Sequence, residues 1–368
     1  MSIVEGFRPK KTVRDYSLTG LSAREAVENG LAAAEWYHTD ISRKEMKALM
    51  QRSDQPAIRD TIIWLGVMVL AAAGAIATWG SWWCVPFFLV YGVLYGSASD
   101  SRWHECSHGT AFKTRWMNDV VYQIASFMLM RNPVTWRWSH ARHHTDTIIV
   151  GRDAEIAVMR PPDLLKAGLM FTGLLDFRYS LPTLFRQAIL GLNGEEKSYV
   201  PEMEFAKAQT AAQWHVAIYV VTIAVAVATW SFLPLMLVGL PRLYGSWHMI
   251  LTGLLQHLGL ADNVTDHRLN TRTVYMNPVS RFIYWNMNYH VEHHMFPMVP
   301  YHALPRLHEM IKHDLPTPNP SMWHAYKEIW PVLLQQLRYE DHYLKRDLPA
   351  TARPYRGEYH DFELAAAE

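Results

Sequence analysis

TIIWLGVMVLAAAGAIATWGSWWCVPFFLVYGVLYGSAS, residues 61–99, contains no Asp, Glu, Lys or Arg. A helix that crosses a bilayer needs about 20 predominantly apolar residues, so this stretch has room for two passes. The turn between them is expected near Thr78-Trp79-Gly80-Ser81-Trp82-Trp83, where the Trp residues suit an interfacial aromatic belt. A second stretch, Ala208 to Ala261, carries Arg242 as its one charge and turns near Trp230-Ser231-Phe232-Leu233-Pro234. Inside a span, Arg242 must face protein or a polar cavity. The mean hydropathy of −0.09 hides this segregation. Two hydrophobic hairpins are therefore expected, at about 61–98 and 210–258.

Neither turn is charged, whereas Lys and Arg lie at the N-terminus, between the hairpins and after the second one. The positive-inside rule then gives four spans with both termini cytoplasmic. The apolar runs Asp119–Met130 and Leu164–Leu192 are too short to span and read as helices at the membrane surface or in a buried core. Residues 1–60 read as a polar helical arm on the cytoplasmic side. In that arm Ser22-x-x-Glu25 and Ser42-x-x-Glu45 fit capping boxes, and Asp54-Gln55-Pro56 is expected to end the second helix. Met1 to Arg14 is charged and lacks the apolar core of a signal peptide. Residues 314–368 read as a cytoplasmic tail.

The composition excludes other classes. A formal charge of +1 without a basic face argues against nucleic acid as a partner. Two cysteines, Cys84 and Cys106, give no disulfide framework and fit a reducing compartment. Histidine is unusually abundant, at 19 residues.

Eight histidines fall in three clusters: His104-Glu-Cys-Ser-His108, His140-Ala-Arg-His143-His144 and His290-Val-Glu-His293-His294. On helices, the i, i+3 and i+4 spacings put each cluster on one face. Eight imidazoles exceed what one ion can hold, so a two-metal site is expected; imidazole alone does not choose among Fe, Zn, Cu and Ni. The topology puts all three clusters on the cytoplasmic side and adds His257, at the end of the fourth span, as a ninth candidate. His267 is a weaker one. His215, His248, His302, His308, His313 and His324 lack cluster spacing and read as structural or surface groups. Glu105, Asp146, Asp153, Asp262, Asp266 and Glu292 are candidates for orienting the imidazoles. His104-Glu105-x-x-His108 also matches a zinc metalloprotease motif with Glu105 as general base, but one zinc leaves the other histidines unexplained. A metal transporter or sensor is a third reading, which would place ligands within the spans.

The order and spacing of these clusters resemble the membrane fatty-acid desaturase family. The run His293-His294-Met295-Phe296-Pro297-Met298-Val299-Pro300-Tyr301-His302-Ala303-Leu304-Pro305 is similar to the segment after that family's third histidine box, and the resemblance covers about Thr61 to His313. Asp266 to Thr273 is similar to a bacterial branch that includes a rhizopine-catabolism hydroxylase and a dihydrorhizobitoxine desaturase, which act on small polar molecules. Front-end desaturases have Gln where this chain has His290. No fused cytochrome b5 motif is found, and alkane hydroxylases space their boxes more widely.

The resemblance implies an all-α integral membrane protein: four transmembrane helices in two hairpins, with a cytoplasmic helical cap holding a dimetal site. It implies two non-haem irons on His104, His108, His140, His143, His144, His290, His293 and His294, with His257 added, and O2 as co-substrate. The implied activity is desaturation of a fatty-acyl or related lipid; hydroxylation or desaturation of a small polar metabolite is the alternative on the same scaffold. No dinucleotide loop or haem or iron–sulfur motif is found, so electrons are expected from an external donor, a ferredoxin with its reductase. The expected location is a bacterial inner membrane.

Overall fold

A computed structural model describes residues 14–353. The N-terminal stretch read as lacking a signal peptide lies outside the described residues except for Arg14, as does the tail beyond residue 353. Among the described residues the chain is helical and forms no strand, only the isolated bridges Thr273–Tyr289 and Val274–Asn319.

The arm carries α1 (Leu21–Glu28) and α2 (Arg43–Leu49). Ser42 caps α2 by accepting from Glu45 N, as the capping-box pattern predicts. Ser22 does not cap α1, because Gly20 stands at the N-cap and the Asp15 carboxylate takes Leu21 N at 2.7 Å. Asp54-Gln55-Pro56 does not end α2 either; it opens α3 (Asp54–Ala77), where a proline in the first turn costs little. The arm also reaches inward: Tyr37 and Thr39 are buried, and both hydroxyls donate to Asp314.

After the Trp-rich turn, α4 (Cys84–Val93) returns against α3. It passes through a wider turn, Leu94–Ala98, into α5 (Ser99–Ser107). Trp64 Nε1 donates to the Leu94 carbonyl at 2.8 Å, pinning that turn to α3. The region between the hairpins holds α6 (Arg115–Met128), α7 (Pro133–Thr145), α8 (Leu164–Met170), α9 (Leu181–Leu190) and α10 (Gly194–Lys197). The second hairpin begins with α11 (Phe205–Ala228) and turns at Trp230, whose φ is +47°.

Its return arm is not one helix but three: α12 (Leu233–Leu237), α13 (Pro241–Gly245) and α14 (Trp247–Gly253). Gly239, at φ +88°, and Pro241, which lacks an N–H, break the ladder there. Hence α3 and α11 lie in the stretches long and apolar enough to cross a membrane, Arg43–Ala77 and Glu202–Ala228. The chain ends in α15 (His267–Asn270), α16 (Pro278–Ile283), α17 (His290–Met295), α18 (Leu304–Ile311) and α19 (Met322–Gln336).

The broken arm grips the wide turn from which α5 projects. A Cβ on Gly245 would sit 1.8 Å from the Gly92 carbonyl oxygen, so the two backbones meet as closely as small residues permit. Ser97 Oγ donates to the Gly245 carbonyl at 2.6 Å and accepts from Met249 N at 2.8 Å. Arg242 is buried, as a span position requires, with its guanidinium on Asp176 at 2.7 and 2.9 Å and on the Gly96 carbonyl. These contacts give Arg242 a structural role. Gly245→Ala is expected to destabilise the chain by roughly 1–3 kcal/mol, the usual cost of overpacking. A thermal midpoint in detergent equal to that of the parent would refute this close packing.

Candidate functional site

The histidines arrive from four segments. His104 and His108 lie at the end of α5, His140, His143 and His144 on α7, and His290, His293 and His294 on α17. His257 follows α14 in a turn. All nine come together in two groups, each with its candidate nitrogens within 4.8 Å of one another. One group is His104, His108, His140, His144 and His293; the other is His143, His257, His290 and His294.

Helical geometry explains how one cluster feeds both groups. Successive residues turn by roughly 100°, so i and i+4 stay about 40° apart while i+3 points to their other side. On α7, His140 and His144 join the first group and His143 the second; on α17, His290 and His294 join the second and His293 the first. The ring of His144 stacks on that of His294 at 4.4 Å, so the two groups abut.

The electrostatics suit cation binding. His104 Nε2 faces His293 Nε2 at 2.8 Å, and His108 Nε2 faces His140 Nε2 at 3.1 Å. Burial, followed by the neighbouring imidazoles, lowers the pKa of His104, His140, His144, His290, His293 and His294, and burial lowers that of His108 to about 4. Neutral rings therefore crowd their inner nitrogens together. Both ring nitrogens of His144 and Nε2 of His257 are buried without a hydrogen-bond partner. Such orphaned acceptors are costly in a protein interior, and a soft or borderline cation between them would satisfy them. The donor set fits two metal ions.

Outer partners fix several rings. His140 Nδ1 donates to Glu155 at 3.1 Å, His143 Nδ1 to Asp153 at 2.8 Å and His257 Nδ1 to the Asn270 carbonyl at 2.9 Å. Each bond leaves Nε2 as the inward lone pair. Burial works to lower the His143 pKa, but the charge and hydrogen bond of Asp153 outweigh it and raise it. Thr147 Oγ1 lies 3.2 Å from His294 Nδ1.

Of the six acids expected to orient imidazoles, only Asp153 bonds a clustered one. Glu105, one residue from His104 and so turned off the histidine face, accepts from Thr110 Oγ1 at 2.7 Å and Tyr301 N at 3.0 Å. Burial raises its pKa to about 7. Glu292 is turned away likewise and takes His308 and Thr273. Asp146 pairs with Arg152, Asp262 with Arg14 and Arg160, and Asp266 with Arg268. In each case a nearby guanidinium offers a stronger donor than an imidazole. The sequence reading missed Glu155, whose one signal is its place two residues beyond Asp153.

His267 joins neither group; it stacks on Trp36 at 4.3 Å and lies 5.0 Å from the His294 ring. His215, His248, His302, His308, His313 and His324 also lie outside both groups. A cavity of about 310 Å³ opens onto members of both groups, His104, His140 and His143, with Trp136, Met249, Asp100 and Arg131 among its walls.

The family model described as fatty acid desaturase matches residues 80–326, which include all nine histidines. The sn-1 oleoyl-lipid 12-desaturase of Synechocystis sp. is 28% identical over 108 residues, covering 29% of this chain and 30% of that protein. An endoplasmic-reticulum omega-6 fatty acid desaturase of Glycine max is 36% identical over 83 residues, 21% of each chain. A Delta(12)-acyl-lipid-desaturase of Punica granatum is 33% identical over 75 residues, covering 20% of this chain and 19% of that protein. The matched stretches thus span under a third of these relatives. With its family model matched across most of its length, the chain belongs to the fatty acid desaturase family.

Proposed function

We propose that the chain is an O2-dependent non-haem diiron oxidoreductase that desaturates a fatty-acyl or related lipid substrate. The observation that carries this reading is the sorting of nine imidazoles, six of them buried and three partly so, into two abutting groups within a desaturase-family chain. In it, His104, His108, His140, His144 and His293 hold one iron, and His143, His257, His290 and His294 the other. Two irons there would supply the oxidising power, drawn from O2, to remove hydrogen from an unactivated C–H bond. Electrons come from an external donor, a ferredoxin with its reductase.

The chain's own residues prepare the site. Glu155, Asp153 and the Asn270 carbonyl hold protons on Nδ1 of His140, His143 and His257, keeping each Nε2 free for metal. The cavity lets a substrate carbon approach His104, His140 and His143 while Trp136, Met249, Ile250 and Leu254 limit water. The four-span topology belongs to this reading: residues 1–60 form a cytoplasmic arm, 61–313 the membrane domain with its cap, and 314–368 a cytoplasmic tail, in a bacterial inner membrane.

A second reading, hydroxylation or desaturation of a small polar metabolite, is favoured by the cavity walls. Asp100, ion-paired with Arg131 at 2.7 Å, and Asp176 line a space at the low end of the roughly 300–1,000 Å³ usual for ligand pockets. Desolvating such groups against a methylene chain is unfavourable. The zinc-protease reading is disfavoured because Glu105 turns toward Thr110 and Tyr301 rather than the histidines.

Mass spectrometry of products in an expressing host with a matched ferredoxin system separates the chemistries. A lipid lighter by two hydrogens supports desaturation; a small metabolite heavier by one oxygen supports the second reading, and a hydrolysed peptide bond refutes both. His143→Ala is expected to abolish oxidation, and full activity would refute its role as ligand. Asp153→Asn is expected to weaken metal binding roughly 10–100-fold, measured by metal competition on the purified protein. Unchanged affinity would show that Asp153 does not tune the site.

A further inference from the structure

The arm segment that packs on His267 lies outside the family match, which begins at residue 80. Trp36 is partly exposed and is anchored by its Nε1, which donates to the Thr145 carbonyl at 2.9 Å. Tyr37 N donates to the Thr265 carbonyl at 3.0 Å. The indole lies nearly parallel to the His267 ring, at 4.3 Å and 9°. His267 is buried and lies 5.0 Å from the ring of His294. A continuous line of π systems therefore runs from the protein surface through Trp36 and His267 to His294.

Beside Trp36 the same arm forms an open groove lined by His38, Ile41, Met46 and Phe296, with Arg43 and Lys47 among its walls. Arg43, Lys44 and Lys47 project from α2 into solvent, whereas Asp40 in the same groove is paired with Arg353 at 2.5 Å. The groove thus has a largely apolar floor, with Arg43 and Lys47 on its rim beside the Asp40–Arg353 pair. His294, in the second group, meets the His267 ring at 40° and through it the Trp36 indole, a route outward separate from the cavity at His104, His140 and His143.

We propose that the Trp36–His267 stack is the electron entry point of the centre, and that an acidic one-electron protein donor docks on the cationic rim beside it. The proposal rests on the diiron reading above. In each encounter the donor's reduced iron–sulfur cluster would lose one electron to a metal ion held by His143, His257, His290 and His294, by way of Trp36 and His267; no bond forms or breaks, and no proton moves through the indole. The stack shortens the gap that the electron must cross between surface and site. Trp36 is a positioning residue in this scheme, because it touches His267 rather than any metal ligand. Rim charge acts on the encounter, where complementary potential raises association rates and salt screens them.

The test uses the full iron-loaded chain under anaerobic stopped flow with two reductants. One is a reduced plant-type [2Fe–2S] ferredoxin, and the other is reduced methyl viologen, which needs no docking site. Trp36→Leu is expected to slow reduction by the ferredoxin roughly tenfold or more. Trp36→Phe should restore most of that rate. Lys47→Glu should lower the ferredoxin rate severalfold, most strongly at low salt. Reduction by viologen and the iron content should stay at the wild-type level in all three. An unchanged ferredoxin rate in Trp36→Leu overturns the proposal. So does a loss of iron, or an equal slowing with both reductants, since each assigns Trp36 a purely structural role. A wild-type chain that binds no redox metal overturns the diiron reading instead, and this proposal with it.

Discussion

Everything in this chain defers to one constraint: nine imidazoles must bring their inner nitrogens together in a largely buried space. Ring nitrogens meet in pairs at 2.8–3.1 Å, where two unprotonated rings would set lone pair against lone pair. A buried nitrogen left without a partner costs about 1–3 kcal/mol, and a cation held between the rings removes that cost. Helical phase does the sorting. Because i and i+4 stay together while i+3 diverges, two copies of the same five-residue motif on α7 and α17 interleave and supply both groups. A single motif repeated thus builds two adjacent sites.

The scaffold's task is to hold the helix ends in place. Helix α5 enters the site from a widened turn clamped on one side by Trp64 and on the other by Ser97, Arg242 and the Gly92–Gly245 contact. Within that arm, Arg242 and Gly245 stand three residues apart on α13, so one face of this short helix offers both to the turn. Fixed outer partners do the same at side-chain scale. Asp153 and Glu155 lie on the loop after α7 and hold two of its rings, so that loop is as much part of the site as the helix.

The sequence made the histidines legible because their signal is local: spacing on a helix. His257 was legible from its place at the end of the second apolar stretch, although its spacing was uninformative. The acids were not, because a carboxylate's partner is chosen by tertiary proximity. Asp146, Asp262 and Asp266 found arginines, Glu105 and Glu292 were turned off the histidine face, and Glu155 was overlooked. Local capping signals divided the same way. Ser42 acts as its pattern predicts, whereas Ser22 loses the N-terminus of α1 to Asp15, which no pattern announces. The burial of Tyr37 and Thr39 in a polar arm, and with it the placement of Trp36 over His267, follows from contacts more than 200 residues away in sequence, such as that with Asp314.

The account stands or falls on the occupancy of the two groups. Metal quantification on protein purified without added metal, joined to Mössbauer spectroscopy of iron-57-grown material, tests it most directly. Two irons per chain in a nitrogen-rich ligand field, coupled to one another, is the predicted result. A single zinc per chain, or two irons that show no mutual coupling, would contradict it.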